Sequence, residues 1–352
     1  MKVKHLNFKI TLEGSNIVNF DSKEQKFFWN RESKEGNKNS LTSVNDNNMY
    51  SKKSFFKNEQ GKLDYKIKIS SETLRKSIFN IDAIAINPSI IHNKTLFNSF
   101  VGSFVGLVRG YTFAEKFLTV NRKSALTICE ATQINNAVSH MDFKSRSGEK
   151  KVKDDSENSD TSLYKKESVG DITYESRGFI DVQTLQFLSS DPIFDRYSFS
   201  SDDYEILKVF LNKTLPNFNN ELGYYKLKTS CIDVSEYGIK LTNEQTVFLI
   251  KELLKRILSI KLLKATGYAK VDSLTIDLVY DAIDNSKNET IEIKSFKDID
   301  SLDFEVEDFY ILTDESEAKK QRIDIENSIK EMAKKATEEK KAAEEKKRDK
   351  KK

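Results

Sequence analysis

The sequence predicts an α+β fold from three observations. Segments that alternate apolar and polar residues, as half-buried strands do, occur near the N-terminus, in the middle and towards the C-terminus. Segments with apolar residues at helical spacing lie between them. The two kinds of segment do not alternate regularly, which favours α+β over a doubly wound parallel sheet. A ferredoxin-like core with insertions fits this order.

The first elements are the clearest. HLNFKITLE (5–13) alternates apolar residues with Asn, Lys and Thr, which predicts a strand. KLDYKIKI (62–69) predicts a second strand with three lysines on its polar face. It leads directly into ISSETLRKSIF (69–79), where Ser70 or Ser71 is expected to cap a helix.

Later elements follow from the same signals. We expect a helix from about residue 95 to 108, with Gly102 and Gly106 allowing close packing against the sheet and Gly110 ending the helix. Residues 170–189 predict two short strands, or a strand and a turn. A third helix is expected over 242–264, where Thr242 and Gln245 form a capping box, and a strand over 271–280.

The domain organisation follows from composition. We expect a single domain over residues 1–314, with long polar insertions at 21–61 and 112–170. Within the second insertion, residues 144–162 are expected to form a mobile loop. Residues 315–352 form a charged tail, helical or disordered, and solubilisation is the favoured interpretation of it.

Charge is distributed unevenly along the 352 residues, whose net charge is only +3. Residues 299–318 contain eight acidic residues and no basic one, while residues 1–298 contain 44 basic and 39 acidic residues. Basic residues in that part form short local clusters, as phosphate contacts require. Clusters alone do not distinguish phosphate-binding residues from solvated surface lysines, and the two interpretations are equally favoured.

Several function classes are disfavoured. The two cysteines and three histidines lie far apart, which predicts no disulfide framework, metal or cofactor and fits a reducing cytoplasm. The longest apolar window, 96–108, is shorter than a membrane span, and the N-terminus lacks the apolar core of a secretory signal. P-loop and nucleophile-elbow motifs are absent from the sequence, so we expect no catalytic residues and no enzyme.

Three stretches place a cation beside Ser, Thr or Gly: ISSETLRK (69–76), GLVRGY (106–111) and KATGYAK (264–270). Hydroxyls or backbone amides next to a cation suit a phosphodiester backbone that is bound without regard to base sequence. Tyr111 and Tyr268, each beside a glycine, are candidates to stack on bases. These features predict a nucleic-acid-binding protein.

Four stretches, in order, also make the chain resemble a known family. They are ISSETLR (69–75), SFVGLVRGY (103–111), VGDITYESRGFIDVQTLQFLSSDPIFDR (169–196) and KATGYAKVDSLTID (264–277), and the third is the most specific. Over roughly residues 3–280, the chain resembles the RAMP superfamily of CRISPR proteins, and specifically the backbone subunit of the Cascade ribonucleoprotein (the Cas-seven group). The variant type I-F subunit is the nearest likeness.

The resemblance implies an RRM-like palm, with a web at 21–61 and a thumb at 112–170. It also implies antiviral defence: several copies polymerise as a helical filament along CRISPR RNA (crRNA) and present it for pairing with target DNA, while other Cascade subunits cap the guide ends. No membrane is involved. The motifs that match the family nominate these RNA-binding residues: Ser71, Arg75, Lys76, Arg109, Gly110, Lys264, Gly267 and Tyr268. Charge and position in the thumb add Arg122, Lys123, Lys165 and Lys166, and Tyr111 joins them as a stacking candidate.

Two alternatives stay open. Some type III backbone subunits of the superfamily cut target RNA with a metal-dependent thumb aspartate, and four aspartates lie in the corresponding region: Asp142, Asp154, Asp155 and Asp160. The four matching stretches look like type I subunits, which favours a non-catalytic protein. The other alternative is an adaptor that binds protein partners through the charged tail.

Overall fold

The computed structural model describes residues 1–16, 53–57, 60–61, 63–79, 92–114, 119–137, 139–147, 161–230, 234–264, 267–281, 288–324 and 327. The chain divides into two compact units, each assembled from three separate stretches. Unit 1 comprises Met1–Ala85, Ala125–Asp181 and Leu249–Glu305; unit 2 comprises Ile86–Ser124, Val182–Phe248 and Val306–Lys352. The predicted single domain over 1–314 stays a prediction.

Strands and helices are numbered in chain order. The strands are β1 (Lys2–Val3), β2 (His5–Ser15), β3 (Lys53–Lys57), β4 (Leu63–Ile69), β5 (Tyr111–Ala114), β6 (Thr119–Arg122), β7 (Leu126–Ile128), β8 (Ala131–Gln133), β9 (Ser139–Ser147), β10 (Thr161–Val169), β11 (Asp171–Asp181), β12 (Phe187–Ser189), β13 (Leu222–Leu227), β14 (Glu236–Lys240), β15 (Lys261–Lys264), β16 (Gly267–Val279), β17 (Glu289–Ile293), β18 (Glu305–Val306) and β19 (Tyr310–Leu312). The helices are α1 (Ser71–Phe79), α2 (Lys94–Val101), α3 (Phe104–Arg109), α4 (Val182–Gln186), α5 (Tyr204–Thr214), α6 (Asn243–Leu258) and α7 (Phe296–Ser301). Residues 315–324 are also helical.

An antiparallel sheet forms the centre of unit 1. Its strand order is β15-β16-β2-β11-β8-β4-β3, with β17 paired to β16 and β7 paired to β11. Strand β2 lies between β16 and β11, and its alternating apolar residues, among them Leu6 and Ile10, are buried. The alternation in the sequence therefore predicted this strand correctly, because one of its faces packs into the core.

Helix starts in both units follow the capping signals of the sequence. Ser70 caps α1, since its Oγ accepts a hydrogen bond from the Thr73 backbone N–H at 3.4 Å, and Ser71 becomes the first helical residue. Before α6, the Thr242 Oγ1 accepts from the Gln245 N–H at 3.2 Å, and the Gln245 Oε1 accepts from the Thr242 N–H at 3.0 Å. The predicted capping box is confirmed. The helix ends at Leu258 rather than at 264, because residues 261–264 pair with β16 as strand β15.

Unit 2 contains a second antiparallel sheet, of order β12-β14-β13-β19, and the β5–β6 hairpin. The single helix predicted over 95–108 is wrong, because Ser103 interrupts it and caps α3 by accepting from the Gly106 N–H at 3.2 Å. A Cβ on Gly102 would lie 2.7 Å from Phe210 Cβ on α5. Gly102 thus serves packing between helices, not packing of a helix against the sheet.

The remaining elements differ from expectation in specific ways. Residues 171–189 form one long strand, the short helix α4 and the strand β12. Strands β9 and β10 pair with each other over residues 139–147 and 161–169, and the centre of the expected mobile loop lies outside the described residues. Most of the first predicted insertion, residues 17–52, also lies outside them. Within the described residues, the helices are too short or too polar to cross a membrane.

Candidate nucleic-acid interface

The predicted RNA-binding residues are distributed over both units. In unit 1 they lie on α1, on β10 and at the β15–β16 turn: Ser71, Arg75, Lys76, Lys165, Lys166, Lys264, Gly267 and Tyr268. In unit 2 they lie around the β5–β6 hairpin: Arg109, Gly110, Tyr111, Arg122 and Lys123.

In unit 2 the hairpin brings the end of α3 against residues 122–124. Arg109 is the last residue of α3 and its side chain is exposed. Gly110 follows with φ 76° and ψ 163°, and the next residue, Tyr111, pairs with Arg122. A Cβ on Gly110 would lie 2.6 Å from the Arg122 carbonyl oxygen. The sequence correctly predicted that Gly110 ends the helix, and the close approach it allows is to the protein's own main chain.

Gly110→Ala is therefore expected to lower the free energy of unfolding of unit 2 by about 2–4 kcal/mol, because its backbone conformation is essentially reserved for glycine and the new methyl group meets main-chain atoms. Urea unfolding of the variant measures this. Gly170→Ala is the control, since a Cβ there would meet nothing within 4 Å. Equal midpoints for the two variants would contradict the geometry at Gly110.

Arg122 is not available to a phosphate, which corrects its assignment as an RNA contact. Its side chain is 3% exposed, and its guanidinium donates to the carbonyls of Leu107 at 3.0 Å, Phe187 at 2.8 Å and Thr184 at 3.2 Å. Burial lowers the pKa of this guanidinium. Arg122 therefore joins three segments of unit 2 to one another. Its neighbour Lys123 is exposed and pairs with Asp195 at 3.0 Å, an ion pair that contributes little at the surface.

Tyr111 is not positioned to stack on a base, which corrects that assignment too. Its ring is buried against Phe100 and Phe113, with centroid distances of 5.2 and 5.6 Å. Its hydroxyl donates to the Ser198 carbonyl at 2.8 Å, and burial raises its pKa. Tyr111 therefore anchors the β5–β6 hairpin, which directly follows Arg109 and Gly110 in the chain.

In unit 1 the candidate residues of α1 are held by contacts to neighbouring strands. Arg75 donates to the Leu126 carbonyl of β7, and its guanidinium carbon lies 5.7 Å from the centre of the Phe79 ring. Ser77 donates to the Lys261 carbonyl at 3.4 Å, which joins α1 to β15. Lys76 is exposed. These contacts fix the direction of the helix face that presents the basic residues.

The β15–β16 turn is the other candidate region of unit 1. Its Tyr268 is 49% exposed, so a base can reach its ring. A Cβ on Gly267 would lie 2.4 Å from the Asn16 carbonyl oxygen, so a larger residue would push β16 from the end of β2. The side chains of Lys264, Lys165 and Lys166 lie outside the described part of the structure.

Within the described residues, histidine, cysteine and carboxylate side chains form no group of three that could hold a metal ion. The aspartates of the nuclease alternative are not among the described side chains: Asp142, Asp154, Asp155 and Asp160.

The decisive comparison is with protein families. The model of the family described as "Type I-Fv CRISPR-associated protein Cas7fv-like" matches residues 2–306. The chain belongs to this family. The predicted likeness to the variant type I-F backbone subunit is confirmed, and the Cas7fv-like chain is a Cas7-type subunit of a type I CRISPR system. The family description names no enzymatic activity.

Two solved structures are similar to the Cas7fv-like chain. One, titled "CRISPR RNA-guided surveillance complex", shares 11% identity, with coverage of 79% of this chain and 70% of that chain and a TM-score of 0.32. The other carries the same title with "pre-nicking" and shares 10% identity, with coverage of 79% and 77% and a TM-score of 0.36. The comparison with curated proteins gave no match.

Proposed function

We propose that this Cas7fv-like chain is the crRNA-binding backbone subunit of a type I surveillance complex. The family match over residues 2–306 carries the proposal. In this role, several copies polymerise as a helical filament along one guide RNA in the cytoplasm and expose its bases for pairing with target DNA. Other subunits of the complex cap the two ends of the guide.

The topology of unit 1 supports an RRM-like palm. The order along the chain is β2, α1, the β7 and β8 strands, β11, α6 and β16. Their order in the sheet is β16-β2-β11-β8, with every neighbouring pair antiparallel. This is the βαββαβ arrangement of a ferredoxin-like fold, with two segments sharing the place of its second strand. The web at 21–61 and the thumb at 112–170 remain part of the proposal.

The guide contacts that we propose follow from exposure and position. Arg109 and Lys123 have exposed side chains in unit 2, and the main chain of each lies beside Gly110. Lys76 and Tyr268 are exposed in unit 1. Because these groups contact phosphates and base faces, binding is independent of guide sequence. It weakens as the salt concentration rises, because release of the counterions condensed on the phosphates then gains less free energy.

Arg109→Ala tests this proposal. Expressed with a CRISPR array, the variant is expected to retain markedly less RNA, measured as the 260/280 nm absorbance ratio and on a denaturing gel. Its RNA affinity should fall by about tenfold, and the slope of log K against log salt should become about one unit shallower. Arg177→Ala, which removes a guanidinium exposed on β11, is the matched control.

Two results would contradict the proposal. One is normal RNA loading by Arg109→Ala with an unchanged salt slope, which would remove Arg109 from the interface. The other is regularly spaced cleavage of complementary RNA by the loaded protein in Mg²⁺, which would replace the non-catalytic role with the nuclease alternative.

A further inference from the structure

Strands β3 and β4 form a two-stranded arm at one end of the unit 1 sheet. Strand β4 pairs with β8 only through Lys68 and Ile69, whereas residues 63–67 pair with residues 53–57 of β3 in the described part of the sheet. We call residues 53–57 and 63–67 the β3–β4 arm. In the strand order it lies opposite β15, the strand before the Tyr268 turn.

The arm exposes an aromatic ring on each of its faces. Phe56 is 39% exposed and Tyr65 is 42% exposed, and the register places them on opposite faces, because Phe56 lies across from Asp64. A lysine accompanies each ring. The Lys53 Nζ lies 4.0 Å from the centre of the Tyr65 ring, and the Lys66 Nζ lies 5.7 Å from the centre of the Phe56 ring.

A pocket of about 430 Å³ lies where the arm meets the loop after β8. Phe56 and Tyr65 are both among its lining residues, together with Lys66, Ile134 and Asn136. The buried side chain of Gln133 fixes the loop: its Oε1 accepts from the Ile67 N–H at 3.2 Å, and its Nε2 donates to the Asn135 carbonyl at 2.7 Å. The pocket is therefore held by hydrogen bonds, and its volume suits a nucleotide-sized group.

The charges of the arm favour an anionic ligand. Lys57 and Lys66 are exposed, and Lys53 lies across from Ile67, on the face of the arm that carries Tyr65. The arm has one carboxylate to these three cations. It belongs to Asp64, whose Oδ1 accepts a hydrogen bond from the Tyr65 backbone N–H at 2.8 Å. Lysines interleaved with accessible aromatic faces are the combination that binds single strands, in which base faces are open to stacking.

We propose that the β3–β4 arm and its pocket bind a single-stranded polynucleotide, with a base stacked on Tyr65 or Phe56 and phosphates on the neighbouring lysines. This site is additional to the proposed guide contacts, since none of the residues assigned to those contacts lies on the arm. The sequence signal is the alternation of lysines with apolar residues in KLDYKIKI, which predicted a strand but not its ligand.

The test uses the full chain freed of RNA and two fluorescein-labelled octamers, oligo-U RNA and oligo-dT DNA. The Phe56→Ala/Tyr65→Ala double variant is expected to bind at least one octamer about tenfold more weakly, as loss of base stacking implies. The probe that loses affinity identifies an RNA or a DNA strand as the occupant. Tyr65→Phe should bind normally, and Phe296→Ala, which removes an exposed ring of α7, is the matched control.

Unchanged affinity of the double variant for both octamers would overturn the proposal. A change only in oligomeric state, measured by light scattering, would also overturn it, because the arm would then be an interface between copies. If the double variant fails to fold by circular dichroism, photocrosslinking of 5-bromouracil octamers to the unaltered protein decides: adducts on residues 53–67 support the site and their absence overturns it. Arg109→Ala tests the guide contacts separately, so either proposal can fail alone.

Discussion

Arg122→Ala is expected to lower the free energy of unfolding of unit 2 by about 3–5 kcal/mol. The substitution removes the donor shared by the buried carbonyls of Leu107 and Phe187 and the part-buried carbonyl of Thr184. A buried acceptor that loses a hydrogen bond retains its desolvation penalty, and here two buried carbonyls each lose a bond from one donor side chain. Urea unfolding followed by circular dichroism measures the loss.

Lys123→Ala is the control for this experiment, because the neighbouring lysine is exposed and its ion pair with Asp195 is a surface pair. Its effect on the unfolding free energy should be within about 0.5 kcal/mol. If Arg122→Ala were as stable as Lys123→Ala but lost RNA, Arg122 would be an RNA contact and its buried hydrogen bonds would contribute little to stability.

Ending the chain after Asp314 is expected to destabilise unit 2 by about 3–5 kcal/mol, whereas ending it after residue 327 should change its stability little. The reason is Asp191, which is fully buried and forms an ion pair with Arg322 of the helical segment 315–324. The Arg322 guanidinium carbon also lies 5.6 Å from the centre of the Tyr224 ring, and Ala318 is fully buried. Truncation at 314 leaves the Asp191 carboxylate buried without that partner.

The two truncations also separate the adaptor alternative from a structural role. Thermal unfolding and RNA loading are measured for both. Arg322→Met, which keeps the chain length, should reproduce most of the loss of the shorter chain. Equal stability of the two truncated chains would contradict the structural role of residues 315–324. Loss of a protein partner only on removal of residues beyond 327 would support the adaptor alternative.

The parts of the fold that the sequence predicted correctly depend on local chemistry. The alternation in β2 is visible along a single strand, and the cap at Ser70 depends only on residues within about one helical turn. The same holds for the Thr242 and Gln245 capping box. These signals require no knowledge of distant neighbours.

The incorrect predictions concern residues whose structure depends on contacts with segments distant in the sequence. Arg122 and Lys123 are adjacent basic residues, and only the former meets carbonyls from residues 107, 184 and 187. KLLK at 261–264 continues the apolar content of α6, yet pairing with β16 makes it a strand. The sequence predicts Tyr111, beside a glycine, as a stacking residue. In the structure its hydroxyl donates to the Ser198 carbonyl, and its ring packs against phenylalanine rings of unit 2.

The position of β2 between β11 and β16 has a consequence for biosynthesis. The strand is synthesised before both of its neighbours, which are complete only at residues 181 and 279. At about 5–20 residues per second, the wait for the second neighbour is on the order of 10 to 60 s. Until β16 is complete, this alternating apolar strand has at least one edge of unpaired hydrogen-bonding groups, and adjacent nascent chains on one polysome present the same strand to each other. Folding of the sheet therefore depends on keeping β2 apart from its copies on neighbouring chains until β16 has been synthesised.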